Sequence, residues 1–310
     1  MPNTKSQAAA SPSENLRGLL LVVFATLCWS TSGIFINLIT DATQISAVSL
    51  AFWRDLSTFL ILLGSISLLR PQDLKVNRKD LPWLIGMGGI SIGIFHILWN
   101  TSVVVIGASL ATVMQSNAPI FVTIMAWFLF DEPLTARKIT AVLLAAIGTT
   151  LIGGIHSSGN IQVTTSGLLI ALGSALTYGT LSLFGKKLSE DYQPWTILLY
   201  IFGFGTLTLL PFQLNRTFPS PINLETLSLF LGFLLISTLL GFGMYTAGLQ
   251  KLQASVASIT ATTEILFAYI LAYVFLSERL DFWQIFGSIL IISGVVLVSL
   301  QNQKQHPKGN

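Results

Sequence analysis

Charge is scarce in this 310-residue chain, where Asp, Glu, Lys and Arg make up 9% against 52% hydrophobic residues and a mean hydropathy of +0.74. A water-soluble globule of this length draws about a quarter of its residues from the charged types to cover its surface. That class is excluded, and an integral membrane protein remains. Cysteine is nearly absent: Cys28, the one present, cannot close an intrachain disulfide, and it lies in an apolar run as a small buried residue does. The 3 histidines stand near no Cys or carboxylate at metal-ligand spacing, so neither a metal nor a cofactor is expected. The net charge of +3 is spread over short loops rather than gathered on one face, which argues against nucleic acid as a partner.

What the chain does have is long apolar runs. A helix needs about 20 residues to cross a ~30 Å hydrocarbon core, and ten runs meet that need: 17–39, 45–69, 81–105, 109–130, 135–154, 166–187, 195–213, 226–249, 252–276 and 280–300. Turn-forming residues separate them, among them Arg70-Pro71-Gln72-Asp73, Asp131-Glu132-Pro133 and Pro219-Ser220-Pro221. Residues 1–15, polar and rich in Ser, Ala and Pro, read as a disordered cytoplasmic tail, and 301–310 as a second. The first run is too long for the apolar core of a cleaved signal and is expected to stay as a helix.

Alternate loops differ sharply in basic residues. With the N-terminus in the cytoplasm, the 16 Lys and Arg less Arg54, Arg216 and Arg279 leave thirteen on the inner side, from Lys5 and Arg17 to Lys304 and Lys308. Only Arg216 and Arg279 fall outside, and Arg54 lies within the second run. That bias places both termini in the cytoplasm of a cell (inner) membrane.

One stretch occurs twice. Residues 107–152 align without a gap on 253–298, pairing Ser109 with Ser255, Glu132 with Glu278, Leu134 with Leu280 and Gly148 with Gly294. A weaker match brings Trp29 over Tyr178, Thr31 over Thr180 and Phe35 over Phe184. The unit is therefore five helices, 16–154 and 155–300. An odd number of crossings forces the second copy to enter from the opposite side, so the fold class is all-α, ten transmembrane helices in two inverted five-helix repeats.

The run FLFDEPLTARKITAVLLAAIGTTLI, its twin VFLSERLDFWQIFGSILIISGVVLV and the duplicated unit resemble the EamA domains of the drug/metabolite transporter superfamily, over about residues 17–300. The shared mark is an apolar helix ending in a glutamate before a short turn, here Glu132 and Glu278. Asp131 and Ser277 stand where the family often has glycine. Pro119 kinks the fourth helix, whereas its counterpart Ile265 supplies no such cause in the ninth. The resemblance implies export or exchange of small metabolites, often amino acids, through a cavity lined by helices three, four, eight and nine.

Charged residues inside hydrocarbon cost at least ~2.5 kcal/mol each and so mark candidate sites. Here they are Arg54 with Asp55, His96 and Glu264. At about 1.5 Å per residue, Arg54, His96 and Glu264 fall between the midplane and the outer third. Asn100 lies one turn beyond His96 on the same face, and Asn117 lies at a similar depth. Two readings stay open for each. Glu264 is structural or proton-linked, or it contacts substrate. His96 is a satisfied bundle histidine or a ligand. Arg54 pairs locally with Asp55 or attracts an anion, the two side chains leaving the helix ~100° apart toward different partners. Trp29, Tyr178, Trp99 and Tyr245 fill space or line a pocket for an apolar or aromatic solute. Glycines crowd the third and eighth helices and mark them as moving gates or as ordinary tight packing. Proton coupling stays open too, and a facilitator needs neither His96 nor Glu264.

Enzyme motifs are absent. The string GTLSLFGKK at 179–187 has five residues between its glycines instead of four, ends in Lys, and lies in a span, so it is no ATP site. The leading reading is a secondary transporter that exports or exchanges small organic metabolites by alternating access, amino acids first and aromatic ones among them. A nucleotide-sugar or phosphate-ester carrier is the alternative, and an intramembrane enzyme or scaffold the alternative of a different class. Monomer and homodimer are undecided.

Overall fold

Within hydrocarbon a backbone has no water to bond, so each apolar run must satisfy its own amides as a helix. The computed structural model, which describes residues 12–106, 108–152, 164–214, 223–276 and 282–304, shows ten such helices and no strand among the described residues. Helix α1 comprises Pro12–Ser30 and Ser32–Thr43, α2 is Ala47–Leu69, and α3 runs through Leu81–Gly88, Gly89–Ile94 and Phe95–Ile106. Helix α4 is Ala108–Gln115 with Ala118–Phe130, and α5 is Ala136–Ile152. In the second half α6 is Thr165–Ser189 and α7 is Pro194–Gln213, while α8 runs through Leu224–Gly232, Phe233–Leu240 and Gly241–Leu249. Helix α9 is Ala254–Ala261 with Thr263–Leu276, and α10 is Phe282–Lys304. Nine of the ten hold 18 or more residues apolar enough to span a membrane. The exception, α5, has 17.

Helix ends follow local chemistry. Ser46 accepts from the Ser49 amide to start α2, Thr164 from Gly167 to start α6, and Asn223 forms a capping box with Thr226 at α8. Helix α1 begins at Pro12, inside the expected tail, because a proline is readily placed where a helix's first amide has no partner. Helix α10 likewise continues past 300 to Lys304.

Burial is inverted relative to a soluble protein. Leu68, Val104 and Leu224 are more than four-fifths exposed on the outer surface, while Asp55, Thr58, Ser174, Ser255 and Thr260 are fully enclosed. Trp127, Trp195 and Trp283 are half-exposed near helix ends, where an indole suits the membrane interface.

Helices of one half find their main partners in the other. Helix α1 packs on α8 as α6 packs on α3, α9 on α1 as α4 on α6, and α2 pairs with α7 and α5 with α10. At the last crossing a side chain on Gly148 would meet the Gly287 carbonyl at 2.6 Å, and one on Gly287 would meet the Gly148 carbonyl at 2.6 Å. The backbones touch, as only glycine allows.

Two features went unforeseen. Helix α9 breaks at Thr262, just as α4 breaks at Ser116 and Asn117 ahead of Pro119, although α9 has no proline there. The cause is hydroxyl competition for backbone carbonyls. Thr262 donates to Ile259 and Thr263 to Thr260, and the Thr263 hydroxyl lies 2.8 Å from that of Thr26 on α1. Helices α3 and α8 each widen into a π-helical stretch, Gly89–Ile94 and Phe233–Leu240.

Candidate functional site

The breaks in α1, α4 and α9 meet at one place. Around it lies a partly open cavity of about 310 Å³, which extends from Ala47, next to the 44–46 turn, to mid-bundle and is bounded by α1, α2, α3, α4, α6, α8 and α9. Of the residues singled out from the sequence, Trp29, Arg54, His96, Trp99, Asn100, Tyr178 and Glu264 line it. Asn117 and Tyr245 do not. The Asn117 amide donates to the Val113 carbonyl at 2.8 Å, while Ser116 and Ala118 face the cavity. Tyr245, 2% exposed, bonds Ser182 at 2.6 Å and packs beneath Trp29 with ring centroids 4.8 Å apart, so it supports the floor.

The basic wall is built on α2. Arg54 does not diverge from Asp55 as the helical spacing implied. Its long side chain folds back, and Nε and Nη2 lie 2.9 and 2.8 Å from Asp55 Oδ1. Asp55 is fully enclosed, so its charge needs this partner. Arg54 Nη2 also reaches His96 Nε2 on α3 at 3.1 Å, and its guanidinium carbon sits 5.6 Å above the Phe233 ring. A guanidinium only donates, so the ring nitrogen facing it accepts.

The acidic wall lies on α9. Glu264 accepts from the Tyr178 hydroxyl of α6 at 3.3 Å, and Tyr178 in turn stacks against Phe95 at 5.2 Å. Between the walls the lining is aromatic and lightly polar, with Trp29, Phe95, Phe233 and Phe242 beside Ser30, Ser32, Gln115 and Ser258. The phenylalanines had no signal in a chain of 20 Phe, whereas the serines and Gln115 stand out as polar residues in apolar runs. Asn100 turns its amide to the His96 carbonyl at 2.7 Å, stiffening that turn.

The opposite end of the bundle is clasped. Glu132, after the left-handed Asp131 (φ 53°) that ends α4, pairs with Lys138 Nζ at 2.9 Å. It also accepts from the Ala254 amide at 2.8 Å and from the Ser255 hydroxyl, both at the start of α9. The Lys138 pair braces the turn between α4 and α5, and the contact with the other repeat comes in addition. Lys138, taken for a loop charge, is 1% exposed. Glu278 lies outside the described residues.

Ten helices in two cross-packed halves, broken around one central cavity, make the architecture of a membrane transporter. The chain belongs to the EamA-like transporter family, whose sequence model matches residues 16–154 and again 165–300. An uncharacterized transporter of Archaeoglobus fulgidus is 27% identical over 256 residues, covering 82% of this chain and 87% of its own. The uncharacterized inner membrane transporter YicL of Salmonella typhimurium is 25% identical, covering 93% of this chain and 97% of its own. A protein of Streptantibioticus cattleyicolor named as a probable terminal-alkyne amino-acid exporter is 25% identical, covering 90% and 92%. A solved crystal structure superposes with a TM-score of 0.78 over 96% of this chain and all of its own, at 15% identity. The protein is a multi-pass membrane transporter and not an enzyme.

Proposed function

We propose that the protein is a secondary transporter that exports or exchanges small zwitterionic solutes, amino acids with apolar or aromatic side chains first, by alternating access. One observation carries this reading. A single cavity has a basic wall of Arg54 and His96, an acidic wall at Glu264, and aromatic rings between them. A carboxylate suits the first, an ammonium the second and an apolar side chain the third. The amino-acid exporter among the relatives supports the same choice. The carrier of nucleotide sugars or phosphate esters is disfavoured, since holding a phosphate calls for several cations. Among the described residues lining the cavity, Arg54 is the only Lys or Arg, and Asp55 already shares its charge.

The loop charges orient the molecule. With basic residues inside, the clasped end at Glu132 faces the cytoplasm, and the cavity faces outward in an inner membrane. A panel of labelled amino acids offered to proteoliposomes tests the reading. Saturable flux of at least one apolar or aromatic amino acid is expected, and it is lost in Arg54→Gln. Flux confined to phosphorylated solutes would sink the amino-acid assignment, and no flux of any solute would sink transport.

A further inference from the structure

Among the described residues, one pair of side-chain hydrogen bonds between helices occurs in both repeats. Thr31 Oγ1 lies 2.8 Å from Ser237 Oγ, joining α1 to α8. Thr180 Oγ1 lies 2.7 Å from Ser91 Oγ, joining α6 to α3. Thr31 and Thr180 are register mates, and the gapless register of α4 on α9, carried back into α3 and α8, matches Ser91 with Ser237. Each threonine also donates to the carbonyl three residues back in its own helix, Thr31 to Cys28 at 2.7 Å and Thr180 to Thr177 at 2.6 Å. With each threonine proton turned to its own helix, Ser91 donates across to Thr180, while Ser237 divides its proton between Thr31 and the Cys28 carbonyl at 3.2 Å. Both serines are enclosed, at 1% and 2% exposure, and both lie in the π-helical stretches.

The two threonines differ in backbone. Helix α1 stops at Ser30 and restarts at Ser32, whereas α6 runs unbroken from Thr165 to Ser189 through Thr180. One and the same bond is thus made by a broken helix and by a continuous one. When access alternates in an inverted repeat, the halves exchange conformations. A contact made by both halves in one state is then made by both in the other. We propose that Thr31–Ser237 and Thr180–Ser91 are the two pivots of the transport cycle, kept in both states, while α1 and α6 break in alternation at Thr31 and Thr180.

This inference rests on the alternating-access reading above. Contacts without a mate behave differently. Ser182 and Tyr245 bond at 2.6 Å, but their register positions are Gly33 and Trp99, which cannot repeat the hydroxyl pair. That contact belongs to one state and must open.

Disulfide bridging separates the two kinds. In a Cys28→Ala chain, Thr31→Cys with Ser237→Cys places thiols where the hydroxyl oxygens are 2.8 Å apart, within reach of a bridge. The oxidised protein in proteoliposomes is expected to keep its flux, whereas Thr26→Cys with Thr263→Cys, whose hydroxyls lie 2.8 Å apart and whose register positions Ala175 and Asn117 cannot repeat the pair, is expected to stop until reductant is added. Flux lost on bridging 31 to 237 and regained with reductant overturns the pivot. If the unbridged Cys28→Ala chain carries no solute, the transport reading has failed, and the pivot is then decided by deuterium uptake at the 131–135 turn. Uptake unchanged by the 31–237 bridge supports the pivot, and uptake suppressed by it overturns it. Because each bond stands alike in both states, Ser237→Ala and Ser91→Ala should lower the melting temperature with kcat changed by less than about twofold and KM unchanged, neither serine lining the cavity. A kcat lowered roughly threefold to tenfold, the size of one hydrogen bond, would place the bond in one state only and overturns the assignment.

Discussion

Lys138 holds its ammonium where 1% of its surface is exposed, and Glu132 is its counterion. Removing one member of such a pair strands the other charge, so Lys138→Ala is expected to cost about 3–5 kcal/mol and lower the melting temperature in detergent. Adding Glu132→Gln should recover part of the loss. On the cavity side, Glu264→Gln is expected to flatten any pH dependence of flux, and an unchanged profile would remove Glu264 from coupling. The residues readable from the sequence were those too polar for their surroundings, such as Arg54, His96 and Glu264. Lys138 escaped because it lies eight residues after the end of α4 at Phe130, where a solvated loop charge is the ordinary reading. Asn117 and Tyr245 drew notice for the same polarity, but an amide bonded within its own helix and a phenol bonded to a serine leave no group for the cavity.

Among elements, length and punctuation made all ten helices legible, and the proline at 119 marked the break in α4. The break in α9 was not legible because a threonine bends a helix only when its hydroxyl finds a carbonyl and a cross-helix partner, here Thr26. The π-helical stretches left no mark in composition for a similar reason. They depend on what α3 and α8 meet across the bundle. At the α5–α10 crossing the backbones touch, and Gly148→Val or Gly287→Val should push them apart. A loss of about 1–3 kcal/mol or more is expected, read by thermal unfolding, with Ala milder than Val at either site. Asp131, in the left-handed region at φ 53°, predicts that Asp131→Gly is tolerated and that Asp131→Val is destabilising.

At the scale of the whole molecule, the repeat in the sequence foretold which helix pairs correspond, α1 on α8 with α6 on α3 and α9 on α1 with α4 on α6. Orientation is tested with single cysteines in the Cys28→Ala chain. One at Gln44 is expected to react with an impermeant reagent added outside intact cells, and one at Asn77 only after lysis. The reverse pattern would invert the molecule.

The clasp around Glu132 has a consequence for timing. The residue in register with Lys138 is Gln284, so the charge that closes one end has no equivalent in the sequence of the other. On the alternating-access reading proposed above, the two states then differ in energy before any solute arrives, and an idle carrier waits with its cavity toward the 44–46 turn. On that reading, release of Glu132, held in place by Lys138, from Ala254 and Ser255 at the start of α9 is the slow step of the empty carrier's return. Exchange of one solute for another should therefore run faster than net flow, with a gap that narrows in Lys138→Gln.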